Sequence, residues 1–289
     1  MIVVKITDGV GNQIFQYAYA RMLQAKTCQK VYMDISDINN LRNDKARKTG
    51  WTELCDKREF QLDNFSVTLP IISTKWLSKI NKKIDKKSKF LNYCKELRLL
   101  PIVYLKEADC KENGIKYNKY QNYYVEGNFF DKSYYENSRD LLMQELQLKE
   151  KLCIPDKINQ ILKNRSTISI HIRRGDFLRV GRNISEGDYY NRAVRYIEDR
   201  IRDPFLLIFS DDTEWVKNNM NFDLEYMMIS GQGFSDCEEL ALMSMCRNNI
   251  IANSTFSYWG AWLNPNKEKI VISPRGWRQK IIPDTWVQL

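Results

Sequence analysis

Ser169-Ile170-His171-Ile172-Arg173-Arg174-Gly175-Asp176 decides the fold. It continues an apolar, β-branched run from Ile168 to Ile172 and then breaks into two arginines, a glycine and an aspartate. The run predicts a buried strand. Its end places fixed positive charge at the carboxyl edge of a sheet, where open α/β sheets bind ligands. The single histidine of the protein lies inside it. A strand followed by a charged, solvated turn accounts for one arginine. A histidine, two arginines and an aspartate within six residues favour function.

Outward from this stretch the pattern alternates. Toward the C-terminus the sequence predicts a helix over about 188–202, a strand over 205–209 and the loop Ser210-Asp211-Asp212. A short helix to Met220, a weaker strand over 226–229 and Gly231-Gln232-Gly233 follow, then a helix over about 236–246. A strand over 249–252, the loop Asn253-Ser254-Thr255-Phe256, a helix to Leu263 and a strand over 270–272 complete the series. Strands alternating with helices imply a parallel sheet covered on both faces. The tail from Pro274, with Trp277 and Trp286, is expected to pack back onto a domain, the N-terminal one included.

Toward the N-terminus, a strand over 2–6 leads through Thr7-Asp8-Gly9-Val10-Gly11-Asn12-Gln13 to a helix over about 14–26 and a strand over 31–34. The two glycines permit close approach of a ligand or of another segment. Residues 36–57 read as a polar loop and 133–150 as a helix. The aromatic run around Gly127 reads as core, with sugar stacking as the alternative for one or two rings. Ile154-Pro155-Asp156 marks a hinge, so the expected domains are 1–150 and 151–289.

Composition narrows the class. A chain of 289 residues suits two ordinary domains. No apolar run is long enough to cross a bilayer, and the N-terminus lacks the features of a signal peptide. Seven cysteines without a Cys-x-x-Cys pair suggest reduced thiols in a cytoplasm and argue against structural zinc. No Asp-x-Asp pair stands ready to hold a divalent ion on a diphosphate. The net charge of +9 favours anionic partners. Much of it lies between Lys75 and Lys95, read as a solvated helical face or as a peripheral contact with anionic lipid on the inner face of a membrane. Nucleic acid is excluded, because those lysines lack interleaved aromatics in a known motif.

The loops after three strands should converge at one sheet edge. The first carries His171, Arg173, Arg174 and Asp176, the second Ser210, Asp211 and Asp212, and the third Asn253, Ser254 and Thr255 before a helix. A helix start beside an arginine grips a phosphate from two sides, although N-capping alone also explains Asn-Ser-Thr. An acid in the first turn of the helix from Asp236 can accept the paired N–H groups of guanine, or simply complement the helix dipole.

Three blocks resemble the signatures of the α-1,2-fucosyltransferases, glycosyltransferase family 11. They are residues 9–18 (GVGNQIFQYA), 171–176 (HIRRGD) and 250–262 (IIANSTFSYWGAW). Weaker similarity covers 58–62, 127–130 and 242–246. The resemblance implies a GT-B-like α/β fold: two Rossmann-like domains with parallel sheets facing across a cleft. It implies an inverting, metal-independent enzyme moving L-fucose from GDP-β-L-fucose to the 2-hydroxyl of a terminal galactose, on an oligosaccharide or lipid-linked glycan for a cell-surface polysaccharide. No cofactor is expected. By the same resemblance Arg173 holds the leaving diphosphate, His171 the ribose, and Ser254, Thr255 and Phe256 the phosphates, with Asn253 beside them. Glu239 reads guanine, where aspartate is commoner. Gly11, Asn12 and Gln13 contribute from the first block. Asp8 stands where the family usually has glycine, and Tyr258 where tryptophan is common. Asp176 is the first candidate for the base that takes the acceptor proton, with a salt-bridge anchor as its alternative, and Glu186 is the second. Rival expectations are another linkage, α-1,6 or protein O-linked, and a non-catalytic GDP-sugar-binding module.

Overall fold

The structure is a computed structural model that describes residues 1–40, 58–73, 102–112 and 117–289. The basic Lys75–Lys95 segment, and with it the expected membrane contact, lies outside the described residues. The chain divides into two compact units. One takes the described residues up to 63 and from 67 to 145; the other takes 64–66 and 146–289.

The first unit contains strands β1 (Ile2–Lys5), β2 (Val31–Asp34), β3 (Ile102–Lys106) and β4 (Asn122–Glu126). Its helices are α1 (Val10–Thr27), α2 (Ser36–Asn40), α3 (Glu107–Glu112) and α4 (Arg139–Glu145). The sheet runs β2-β1-β4-β3, all parallel. Helix α1 begins a turn before the expected start, because Gly9 is extended and its carbonyl already accepts the Gln13 N–H at 3.1 Å. Its burial is nearly all round, so no polar face announces the first turn. Only 139–145 of the expected 133–150 helix is α-helical; two 3₁₀ turns precede it.

The second unit contains α5 (Asp156–Asn164), β5 (Ser166–Ile172), α6 (Gly175–Arg179), α7 (Tyr189–Glu198), β6 (Pro204–Ser210) and α8 (Thr213–Asn219). There follow β7 (Tyr226–Met228), α9 (Asp236–Met245), β8 (Asn248–Ile250), α10 (Thr255–Trp262), β9 (Val271–Ser273) and β10 (Val287–Gln288). The sheet order is β10-β9-β8-β5-β6-β7, again parallel throughout. Strand β6 shows why its run is unbroken. Leu206 and Ile208 join Tyr190, Ala193 and Ile197 of α7 on one face, while Phe205, Leu207 and Phe209 join Ile158, Leu242 and Met243 on the other. Both faces are dry, so both sets of alternating side chains are apolar.

Helices α9 and α10 pack so closely that a Cβ on Gly260 would lie 2.8 Å from Met243 Cβ. In the tail, β10 joins β9 in the sheet of its own unit. Trp286 packs against Tyr258 at 5.1 Å between ring centroids. No helix among the described residues is long and apolar enough to cross a membrane.

Candidate functional site

Strand order locates the site. From β5 the chain steps to β6 and β7 on one side, then returns to β8 on the other side and continues to β9 and β10. The order therefore reverses between β5 and β8, the crevice where open parallel sheets hold ligands. Arg173 and Arg174 follow β5 there, and Asn253 and Ser254 follow β8 just before α10.

Arg173 is held from two sides. Its Nη2 donates to Asp176 Oδ1 at 2.6 Å, and its Nη1 pairs with Asp211 Oδ2 at 2.9 Å. Asp176 is 4% exposed, and this ion pair is the contact that its reading as a salt-bridge anchor expects. The buried Arg174 ties three segments together. It donates to Ser185 Oγ at 2.5 Å and Asp212 Oδ2 at 3.2 Å, reaches Glu186 Oε1 at 3.4 Å, and lies 3.5 Å over the Trp215 ring. Glu186 keeps 66% of its side chain exposed and also accepts from Asn183 Nδ2 at 3.1 Å. Asp211 and Asp212 are visible in the sequence as a loop after a strand, yet nothing in sequence spacing says that they pair with the two arginines.

His171 is buried, its ring 5.3 Å from that of Phe256. Burial first, and the Arg173 charge second, lower its pKa to about 3, so the imidazole is neutral. Among the described residues its Nδ1 is buried without a hydrogen-bond partner, and so is Asn253 Oδ1, although Asn253 Nδ2 donates to the Arg182 carbonyl at 2.8 Å. Ser254 caps α10, accepting the Phe256 N–H at 3.3 Å. Thr255 and Phe256 form the first turn of that helix, whose amides present partial positive charge.

Glu239 sits in the first turn of α9 and meets Ser230, two residues past the end of β7. Burial raises its pKa to about 7, the nearby Asp236 adds to that, and a hydrogen bond from Ser230 Oγ opposes it. The neighbouring Ser235 closes a capping box with Glu238, so Glu239 is not needed as a cap.

Gly11, Asn12 and Gln13 lie in the first unit. Gln13 is fully buried; its Nε2 donates to the Asp8 and Glu59 carbonyls, each at 2.7 Å, and its Oε1 accepts the Gln61 N–H at 3.0 Å. That side chain braces the turn. Gly11 is buried inside α1, and Asn12 Nδ2 reaches Asp8 Oδ2 at 3.2 Å. Asp8 has φ +64°, the left-handed region that glycine enters freely and aspartate tolerates better than most residues. Among the described residues no group of three or more His, Cys, Asp or Glu could hold a metal ion.

The chain is 34% identical to the O-antigen biosynthesis glycosyltransferase WbnK of Escherichia coli, over 98% of this chain and 99% of that protein. It is 26% identical to an alpha-1,2-colitosyltransferase of Escherichia coli, over 100% and 99%. A galactoside 2-alpha-L-fucosyltransferase of Bos taurus is 30% identical over 33% of this chain and 28% of that one. In fold, the chain resembles Arabidopsis thaliana FUT1 in complex with GDP, with a TM-score of 0.52, 12% identity and coverage of 93% and 69%. It also resembles the fucosyltransferase NodZ from Bradyrhizobium, with a TM-score of 0.50, 12% identity and coverage of 90% and 91%. The model of glycosyl transferase family 11 matches residues 1–280, and the chain belongs to that family.

Proposed function

We propose that the protein transfers L-fucose from GDP-β-L-fucose to the 2-hydroxyl of a terminal galactose, inverts the anomeric centre and needs no metal ion. The observation that carries this reading is the crevice between β5 and β8. It gathers a braced arginine, the start of α10, and two buried polar atoms, His171 Nδ1 and Asn253 Oδ1, that have no partner among the described residues. Buried polar atoms normally have partners, so this pair asks for a ligand. The α-1,2 linkage and the glycan acceptor are supported by the names of the relatives.

In this reading Arg173 and the first turn of α10 meet the diphosphate. The departing GDP develops negative charge, which preorganised donors stabilise without a general acid. Neutral His171 suits a ribose hydroxyl, and Glu239 the N–H groups of guanine. The fucosyl ring passes through an oxocarbenium-like state and the acceptor hydroxyl attacks the opposite face. Glu186, exposed on its loop, takes the proton; Asp176 is committed to Arg173.

The test is incubation with GDP-fucose and lactose or lacto-N-biose in EDTA, with linkage analysis of the product. No product across a broad galactoside panel would sink the assignment. An α-1,6 or protein-linked product would move the protein to another linkage class, and donor binding without turnover would make it a GDP-sugar-binding module. A colitosyl donor is the second reading, favoured by the colitosyltransferase that aligns over the whole chain. Competition between the two donors separates them.

A further inference from the structure

We infer that Asp211 is a positioning residue for the transfer, aiming the Arg173 guanidinium at the departing diphosphate; this rests on the role of Arg173 proposed above. Strands β5 and β6 are paired with Ile172 opposite Ser210, so Arg173 and Asp211 leave the sheet side by side. The register of the sheet thus sets their separation. The two oxygens of Asp211 serve different groups. Oδ1 accepts the Arg174 backbone N–H at 2.8 Å, which fixes the carboxylate to the loop that carries both arginines. Oδ2 pairs with Arg173 Nη1 at 2.9 Å.

Asp176 takes Nη2 from the other side at 2.6 Å. A planar guanidinium held at both terminal nitrogens can neither swing nor rotate. Nη2 is hydrogen-bonded to Asp176 and Nη1 faces Asp211 as an ion pair, and the guanidinium, with five N–H groups in all, keeps others that can meet a diphosphate. The side chains of Arg173 and Asp211 are 18% and 23% exposed, so the pair is sheltered from water without being sealed from a ligand. Asp211 also places a negative charge beside the diphosphate site. Removing that charge should strengthen GDP binding even as it loosens the arginine, which separates the positioning role from a purely structural one.

The test compares Asp211→Asn, Arg173→Ala and the double variant in transfer rate, GDP affinity and melting temperature. The amide introduced by Asp211→Asn keeps an oxygen for the Arg174 N–H while losing the charged partner of Arg173. The expected result is a transfer rate at least tenfold lower, GDP affinity unchanged or higher, an unchanged melting temperature, and no further loss when Asp211→Asn is added to Arg173→Ala. A rate within twofold of the unaltered protein overturns the inference. So does an equal fold-loss in both backgrounds, because the effect then does not run through Arg173. If Asp211→Asn does not fold, Asp211→Ser is read by the same criteria. Failure of the underlying reading shows differently: Arg173→Ala would then turn over GDP-fucose at the normal rate.

Discussion

Ser230 donates its hydroxyl to Glu239 Oε2 at 2.9 Å while its oxygen accepts the Ser210 N–H, also at 2.9 Å. The end of β6 is thereby linked to the carboxyl group assigned to guanine. Because burial raises Glu239 to about 7, the free protein is partly protonated there at neutral pH. Only the ionised form accepts both guanine donors. GDP affinity should therefore fall below pH 7, by up to about tenfold per unit. Calorimetric titration from pH 5.5 to 8.5 checks this, with Glu239→Gln reporting the nucleotide's own phosphate titration. Identical slopes for the two proteins would remove Glu239 from the base site.

Arg173→Ala should lower turnover by about 10²–10³-fold, the loss seen when one preorganised donor to a developing anion is removed. Circular dichroism should show the fold retained. Near-normal rates with unchanged GDP-fucose affinity would take Arg173 out of the site.

Glu186→Gln should reduce kcat by about 10²-fold or more, the usual contribution of a general base, and leave donor affinity unchanged. Its side chain is largely exposed, so the substitution should not alter stability. A kcat within a few-fold of normal would show that another group takes the proton.

His171 gives stability a definite pH dependence. The unfolded chain protonates it near 6.5, whereas the folded chain holds it neutral down to about 3. Between these values the unfolded state binds more protons, so stability rises with pH by up to about 1.4 kcal/mol per unit from this residue. That contribution is complete above pH 6.5 and is lost as pH falls toward 3. Glu239 acts in the opposite sense, since its folded pKa is raised: its share is present below pH 4.5 and lost as pH rises through about 7. From pH 7 to 5 the unaltered protein should lose about 2 kcal/mol more than His171→Gln, a difference in which Glu239 cancels. Urea midpoints at the two pH values measure it.

Gly260→Ala should destabilise the second unit by about 1–3 kcal/mol, because the added methyl meets Met243 Cβ at 2.8 Å on a helix packed against α10. A lowered thermal midpoint is the readout. An unchanged midpoint would mean that the two helices separate without cost.

The second half of the chain is legible because β5 and β6 are seven-residue strands rich in β-branched or apolar residues and α7 between them carries one apolar stripe. β5 and β6 can be read almost to the residue. The first unit is harder to read. β3 is an edge strand whose burial alternates while its first four residues are all apolar, and β4 is a central run of five with three buried residues in a row, so neither shows an apolar–polar alternation in its sequence. Asn248, Asn249 and Ser169 look polar, yet they lie in the sheet because Asn249 Nδ2 bonds Ser169 Oγ at 2.7 Å and Asn264 Nδ2 bonds Asn249 Oδ1 at 2.8 Å. Those partners come from distant segments.

The sequence by itself determined the α/β class, the chemistry of His171-Ile172-Arg173-Arg174-Gly175-Asp176 and the family blocks, because these depend on neighbours along the chain. Only the tertiary structure decided the division of labour within that stretch. Arg173 became braced between Asp176 and Asp211, and Arg174 tied to Asp212 and Ser185, once those partners arrived from other segments. A charged side chain takes its role from the partner that neutralises it, and strand order, not sequence spacing, chooses that partner.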